Sequence, residues 1–144
     1  MAASPSGFAG RDGKGEAVAE NFDWRELRAA ADAAVRATVQ RLPPPLRRQA
    51  QALPVTYEPR PNDAILADGY DPDLLGLFVG KSFDEEEMGA IDVPPQILLF
   101  LENLWEFAAG DVKVFRDEVR TTYLHELGHY LGLDELDLEE RGLE

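Results

Sequence analysis

Residues 125 to 129 read His-Glu-Leu-Gly-His. Two imidazoles and a carboxylate at this spacing suit a metal ion with a proton acceptor beside it. A four-residue step along an α-helix turns through about 400°, so His125 and His129 project from one face about one turn apart. That separation suits two nitrogen ligands at about 2.0–2.1 Å from one Zn²⁺. Glu126 lies about a quarter-turn round from His125. From there it reaches a water at the metal without ligating the ion, as a general base must.

The residues just beyond the pair extend the pattern. Gly132 stands three residues after His129, and Asp134 and Glu135 come soon after it. Glycine permits a positive φ, so the chain can end its helix there and turn back towards the metal. In the extended form H-E-x-x-H-x-x-G-x-x-H the third ligand falls three residues after the Gly. Here that position is Glu135, whose carboxylate is an acceptable zinc ligand. Asp134 is the rival third ligand. The chain has two His in 144 residues, and both lie in this motif.

Plainer readings apply to the neighbours. Phe115, Val119, Tyr123, Leu127 and Leu131 step by four and form a core stripe. Tyr123 and Tyr130 flank the His positions, and core packing is expected for both over a substrate or oxyanion role. Glu118, one heptad before His125, reads as a surface charge. Asp84-Glu85-Glu86-Glu87 lacks the alternating oxygen ligands and Gly of a calcium loop and reads as a solvated acidic loop.

Composition narrows the function. There are 28 Asp and Glu against 14 Lys and Arg, a formal net charge of −14. Such a chain repels a phosphate backbone, so no nucleic-acid partner is expected. Residues 1–60 carry a balance of +2 and residues 61–144 one of −16, so the candidate site lies in the acidic part. Most of that surplus is expected to solvate the surface; any part lining a cleft favours basic peptides. With no Cys there is no disulfide, no thiolate zinc ligand and no thiol nucleophile. The longest apolar run, Ile97 to Leu101, is too short to span a bilayer, and no membrane association is expected. Residues 1–20 lack the apolar core of a signal peptide, so a cytoplasmic location is expected.

The elements that must position the site are set by periodicity. Residues 1–20 read as a flexible N-terminal tail, and residues 21–144 as a single domain. Asp23 with Glu26 forms a capping box, and Phe22 with Leu27 a hydrophobic staple, opening a helix over 23–42 that Pro43-Pro44-Pro45 stops. A short helix is expected over 45–52. Strands are expected at 54–57, at 74–79 and at 96–101, the second as a strand buried on both faces. A helix over 101–109 broken at Gly110 precedes a longer one over 111–131, capped by Asp111 and ended by Gly132. A final short helix is expected over 135–141. The fold class is α+β, a small mixed sheet packed against helices with the metal helix near the C-terminus.

With these residues in place, the chain resembles the small zincin-like metallopeptidases of bacteria, the minimal zincins. The resemblance covers about residues 53–144. It is carried by Leu74-Leu75-Gly76-Leu77-Phe78 with Gly80, by Pro95 to Phe100, and by Glu118 to Leu124 running into His125-Glu126-Leu127-Gly128-His129 and Gly132-Leu133-Asp134-Glu135. It implies a zinc peptidase acting on peptide or protein substrates. His125, His129 and an acidic residue at 135 are the implied ligands, and Glu126 the implied catalytic carboxylate. Larger zincins bind peptides along an edge strand, which here is either 74–79 or 96–101. The chain departs from those relatives in having nine residues after Glu135 and only Met1 and Met88, so no Met-turn is expected after the motif. No third His is present for oxyanion stabilisation. The alternative reading is a non-catalytic zinc-binding domain that recognises a protein or peptide partner, with its metal closed off by a fourth protein ligand or with no cleft leading to it.

Overall fold

The computed structural model describes residues 23–80 and 94–133. Helix α1 (Trp24–Gln40) starts at the capping box. The Asp23 carboxylate accepts the Glu26 N–H at 2.9 Å, and the Glu26 carboxylate accepts the Asp23 N–H at 3.2 Å. Leu27, Ala31, Val35 and Thr38 are buried at the expected spacing, and Val39 joins them. Helix α2 (Pro44–Gln51) carries two prolines in its first turn, where a missing N–H costs nothing.

The remaining elements are β1 (Val55–Glu58), α3 (Asp63–Ala67), β2 (Gly76–Val79), β3 (Gln96–Phe100), α4 (Leu101–Phe107) and α5 (Val112–Leu131). Helix α3 is an addition to the elements expected from periodicity. Its start is set by Asn62, whose side chain accepts the Ile65 N–H at 2.9 Å. Helix α4 ends at Phe107, two residues before the expected Ala109, because Ala109 and Gly110 both take positive φ, 55° and 78°. The expected tail 1–20, the Phe22 staple, the acidic loop and the helix over 135–141 lie wholly or largely outside the described residues.

The sheet has the order β1-β3-β2. Strand β3 runs parallel to β1, with Val55 opposite Ile97, and antiparallel to β2, with Gly76 opposite Leu99 and Phe78 opposite Ile97. The mixed α+β architecture is as expected. One expectation needs correction, and one open choice is resolved. The run 74–79 is not a strand buried on both faces: pairing begins at Gly76, β2 is an edge among the described residues, and only its Gly76 is buried. Its apolar character has another cause, since Leu75 and Phe78 pack against the core beneath. Strand β3 is the centre of the sheet, so of 74–79 and 96–101 the edge is the first.

Helix α5 packs against β2, β3, α1 and α4. Its stripe of Phe115, Val119, Tyr123 and Leu127 is covered and meets Ile97 and Leu99 in one core cluster. The stretch leading into β2 is held by a polar brace. The buried Asn103 amide donates to Pro72 O and Leu74 O, both at 2.8 Å. Asn103 Oδ1 accepts from Arg60 Nη1 at 2.6 Å, and Arg60 also pairs with Glu102 and Glu106.

Two phenols lie near α1. The Tyr57 hydroxyl donates to Asp32 Oδ1 at 3.1 Å, while Arg36 Nε meets Asp32 Oδ2 at 2.8 Å. Burial, and then the Asp32 carboxylate, raise the Tyr57 pKa well above the usual phenol value. Burial alone pushes Tyr123 up to about 12, and its hydroxyl has no hydrogen-bond partner among the described residues.

This packing makes the brace and the phenols testable. Asn103→Ala strands two carbonyls and loosens Arg60, and is expected to cost about 2 kcal/mol in urea denaturation. Both phenols keep their protons in the fold beyond the pH at which the unfolded chain loses them. Their contribution to stability is therefore full below about pH 10 and is lost as pH rises through the folded values. Tyr123→Phe removes an unpaired buried hydroxyl, so stability at neutral pH is expected to hold or rise while the alkaline loss becomes shallower. Denaturant midpoints across pH 8 to about 12 check this.

Candidate metal centre

The site is built on the last two turns of α5. Asp111 caps the helix start, its carboxylate accepting the Val114 N–H at 3.1 Å. At the other end Gly132 takes φ 75°, and the Leu133 N–H returns to Gly128 O at 2.8 Å. This six-to-one closure needs a left-handed residue, which is why glycine stands there. The expected turn at Gly132 is thus present.

Burial of the stripe on one side of α5 sets the direction of the other side. His125 is half-buried and the His129 side chain is 52 % exposed. Their ring centroids are 4.6 Å apart with planes at 67°. Glu126 is different: only 10 % of its side chain is exposed. Its Oε1 lies 3.1 Å from His129 Nδ1 and accepts the backbone N–H of Phe78, from β2, at 3.0 Å. One donor atom from each of the three residues lies within 4.8 Å of the others. Two borderline nitrogen donors and a carboxylate, gathered on one partly open face, fit a divalent metal ion.

The other candidates sort clearly. Tyr123 belongs to the core, as expected. Tyr130 is also buried, its ring 5.6 Å from that of Phe78. Glu118 is half-buried and is not part of the His125–Glu126–His129 group. Asp134 and Glu135 lie outside the described residues.

Strand β2 contributes a group that the sequence motif does not contain. The Phe78 N–H is a main-chain donor, invisible to any pattern of side chains. Gly76 was the available signal, because a glycine inside an apolar strand run marks a close backbone approach. A Cβ at residue 76 meets Thr122 Cγ2 at 2.6 Å.

A helix bearing paired imidazoles and a carboxylate beneath the edge of a small mixed sheet defines a zincin-like metallopeptidase architecture. The model of the zincin-like metallopeptidase family matches residues 50–143, and the chain belongs to that family. No curated protein matches it. Helix α1 precedes the matched span. Among the described residues, no helix is long and apolar enough to cross a membrane.

The site predicts a metal stoichiometry. The purified chain is expected to bind one Zn²⁺. His125→Ala and His129→Ala should each lower the affinity by roughly tenfold or more, since even partners outside the ligand set contribute about 10–100-fold. Elemental analysis with chelator competition checks this. Run on Glu135→Ala and Asp134→Ala, the same assay tests whether either acid contributes to metal binding.

Proposed function

We propose that the protein is a zinc-dependent peptidase. His125 and His129 hold the metal together with an acid beyond Gly132. Glu135 is that acid by spacing, with Asp134 its rival. Glu126 is the general base. The supporting observation is the placement of Glu126: it is covered, adjacent to both imidazoles, and tied through one oxygen to a neighbouring strand.

Zn²⁺, when bound, supplies Lewis-acid polarisation of the scissile carbonyl and acidifies water. The chain supplies the rest. The Glu126 carboxylate takes one proton from the attacking water as the C–O bond forms. It then delivers that proton to the leaving nitrogen as the C–N bond breaks, so the carboxylate is regenerated. His129 Nδ1 beside Glu126 Oε1 leaves the other ring nitrogen, Nε2, for the metal, and such an outer hydrogen bond fixes ring orientation. The exposure of His129 favours an open metal position over a site closed by a fourth protein ligand. A peptide or protein is the proposed substrate.

Glu126→Gln keeps the shape and removes the base. It is expected to retain zinc while peptide hydrolysis falls by about 10²–10⁴. The measurement is cleavage of a broad peptide library at matched zinc content, and equal rates for the two proteins rule out the assigned role.

A further inference from the structure

Strand β2 and helix α5 meet in a shared register. Gly76 lies against Thr122 so closely that a Cβ there meets Thr122 Cγ2 at 2.6 Å and Leu98 O and Leu99 Cδ2 at 3.2 Å. Two residues along the strand, Phe78 N–H donates to Glu126 Oε1. Two strand residues advance about 6.6 Å. Four helix residues, from Thr122 to Glu126, advance about 6 Å. A strand seated at Gly76 on Thr122 is therefore carried to Glu126 at Phe78. The Phe78 ring also lies 5.6 Å from that of Tyr130, one helix turn beyond Glu126.

The hydrogen bond also has a direction. Leu75 O accepts the Phe100 N–H across to β3. In an antiparallel pair the main-chain groups alternate, so residues 75 and 77 face β3 and residues 76 and 78 face outward. The Phe78 N–H is thus a donor of the sheet edge, and the Glu126 carboxylate occupies it.

We propose that the Gly76–Thr122 seat and the Phe78 N–H are positioning elements that hold Glu126 as a base. They fix the carboxylate beside the imidazole pair and keep it from swinging inward as a metal ligand. Both of its described contacts fall on Oε1, which leaves Oε2 as the oxygen that accepts the proton. The catalytic half of this inference rests on the peptidase reading; the positioning half does not.

The test has a spectroscopic arm and a kinetic arm. In amide NMR of the full chain, the Phe78 N–H is expected downfield and slow to exchange. Glu126→Ala should move it upfield and speed its exchange about tenfold or more. Gly76→Ala should do the same with Glu126 intact. Adding Thr122→Ser, which deletes Cγ2, should restore much of the wild-type signal. In the kinetic arm, Gly76→Ala and Phe78→Pro should each lower kcat by roughly 10–100-fold with KM and zinc affinity retained. Proline is tolerable there because the lost N–H lies on the strand's outer side. Phe78→Leu, which keeps the N–H, should retain activity. A Phe78 amide indifferent to Glu126→Ala overturns the proposal, as does a folded Phe78→Pro that cleaves at the wild-type rate. If Gly76→Ala does not fold, the Glu126→Ala amide measurement and Phe78→Pro decide. If the wild type cleaves no peptide, the peptidase reading and the catalytic half fall together, and the amide shifts still decide the seat.

Discussion

Phe115, Val119, Tyr123 and Leu127 lie on one face of α5, each at most 1 % exposed. Burying each such side chain stabilises the fold by about 1.5–3 kcal/mol, so the helix has one strongly preferred rotation. That rotation is what aims His125 and His129. A helix turned by one residue, about 100°, would carry the imidazoles off their open face and expose the stripe. The candidate metal centre thus borrows its precision from the hydrophobic core. The small sheet is needed because something must cover the stripe, and Ile97 and Leu99 do so from the central strand.

The same helix is asked for a second kind of precision by β2. An edge strand has one neighbour in the sheet instead of two, and its position is correspondingly soft. Here the softness is removed from outside the sheet. Asn103 holds the carbonyls of Pro72 and Leu74 before the strand begins, and Arg60 holds Asn103. Gly76 lets the strand lie directly on Thr122. These contacts involve no residue of the metal group, yet they set where the Phe78 N–H arrives.

What was legible in the sequence was what local periodicity controls. The spacing of His125, Glu126 and His129, the caps at Asp23 and Asp111, the turn at Gly132 and the core stripe all come from helix geometry within a few residues. The three strands were legible as segments, but their order was not. An apolar run such as Leu74 to Val79 reads alike at the edge and at the centre, because burial by a helix and burial by a second strand demand the same side chains. The Arg60–Asn103 contact joins residues forty-three apart and leaves no local trace. Helix α3, five residues long, was hidden by its shortness, although Asn62 marks its start. The link from Phe78 to Glu126 spans forty-eight residues and uses a backbone atom, which no side-chain pattern encodes.

The chain order of these contacts bears on how the protein is made. Helix α1 packs on α5, and β1 pairs with β3 across the residues between them. Contacts so far apart in sequence close late, after the loop entropy has been met. A growing chain that has reached β3 holds three strands and the α1 stripe with no α5 to cover them. Synthesis at about 5–20 residues per second leaves that interval at seconds. During it the apolar faces of β2 and β3 are open to other chains. Arrival of α5 covers these faces and brings the imidazoles to the strand.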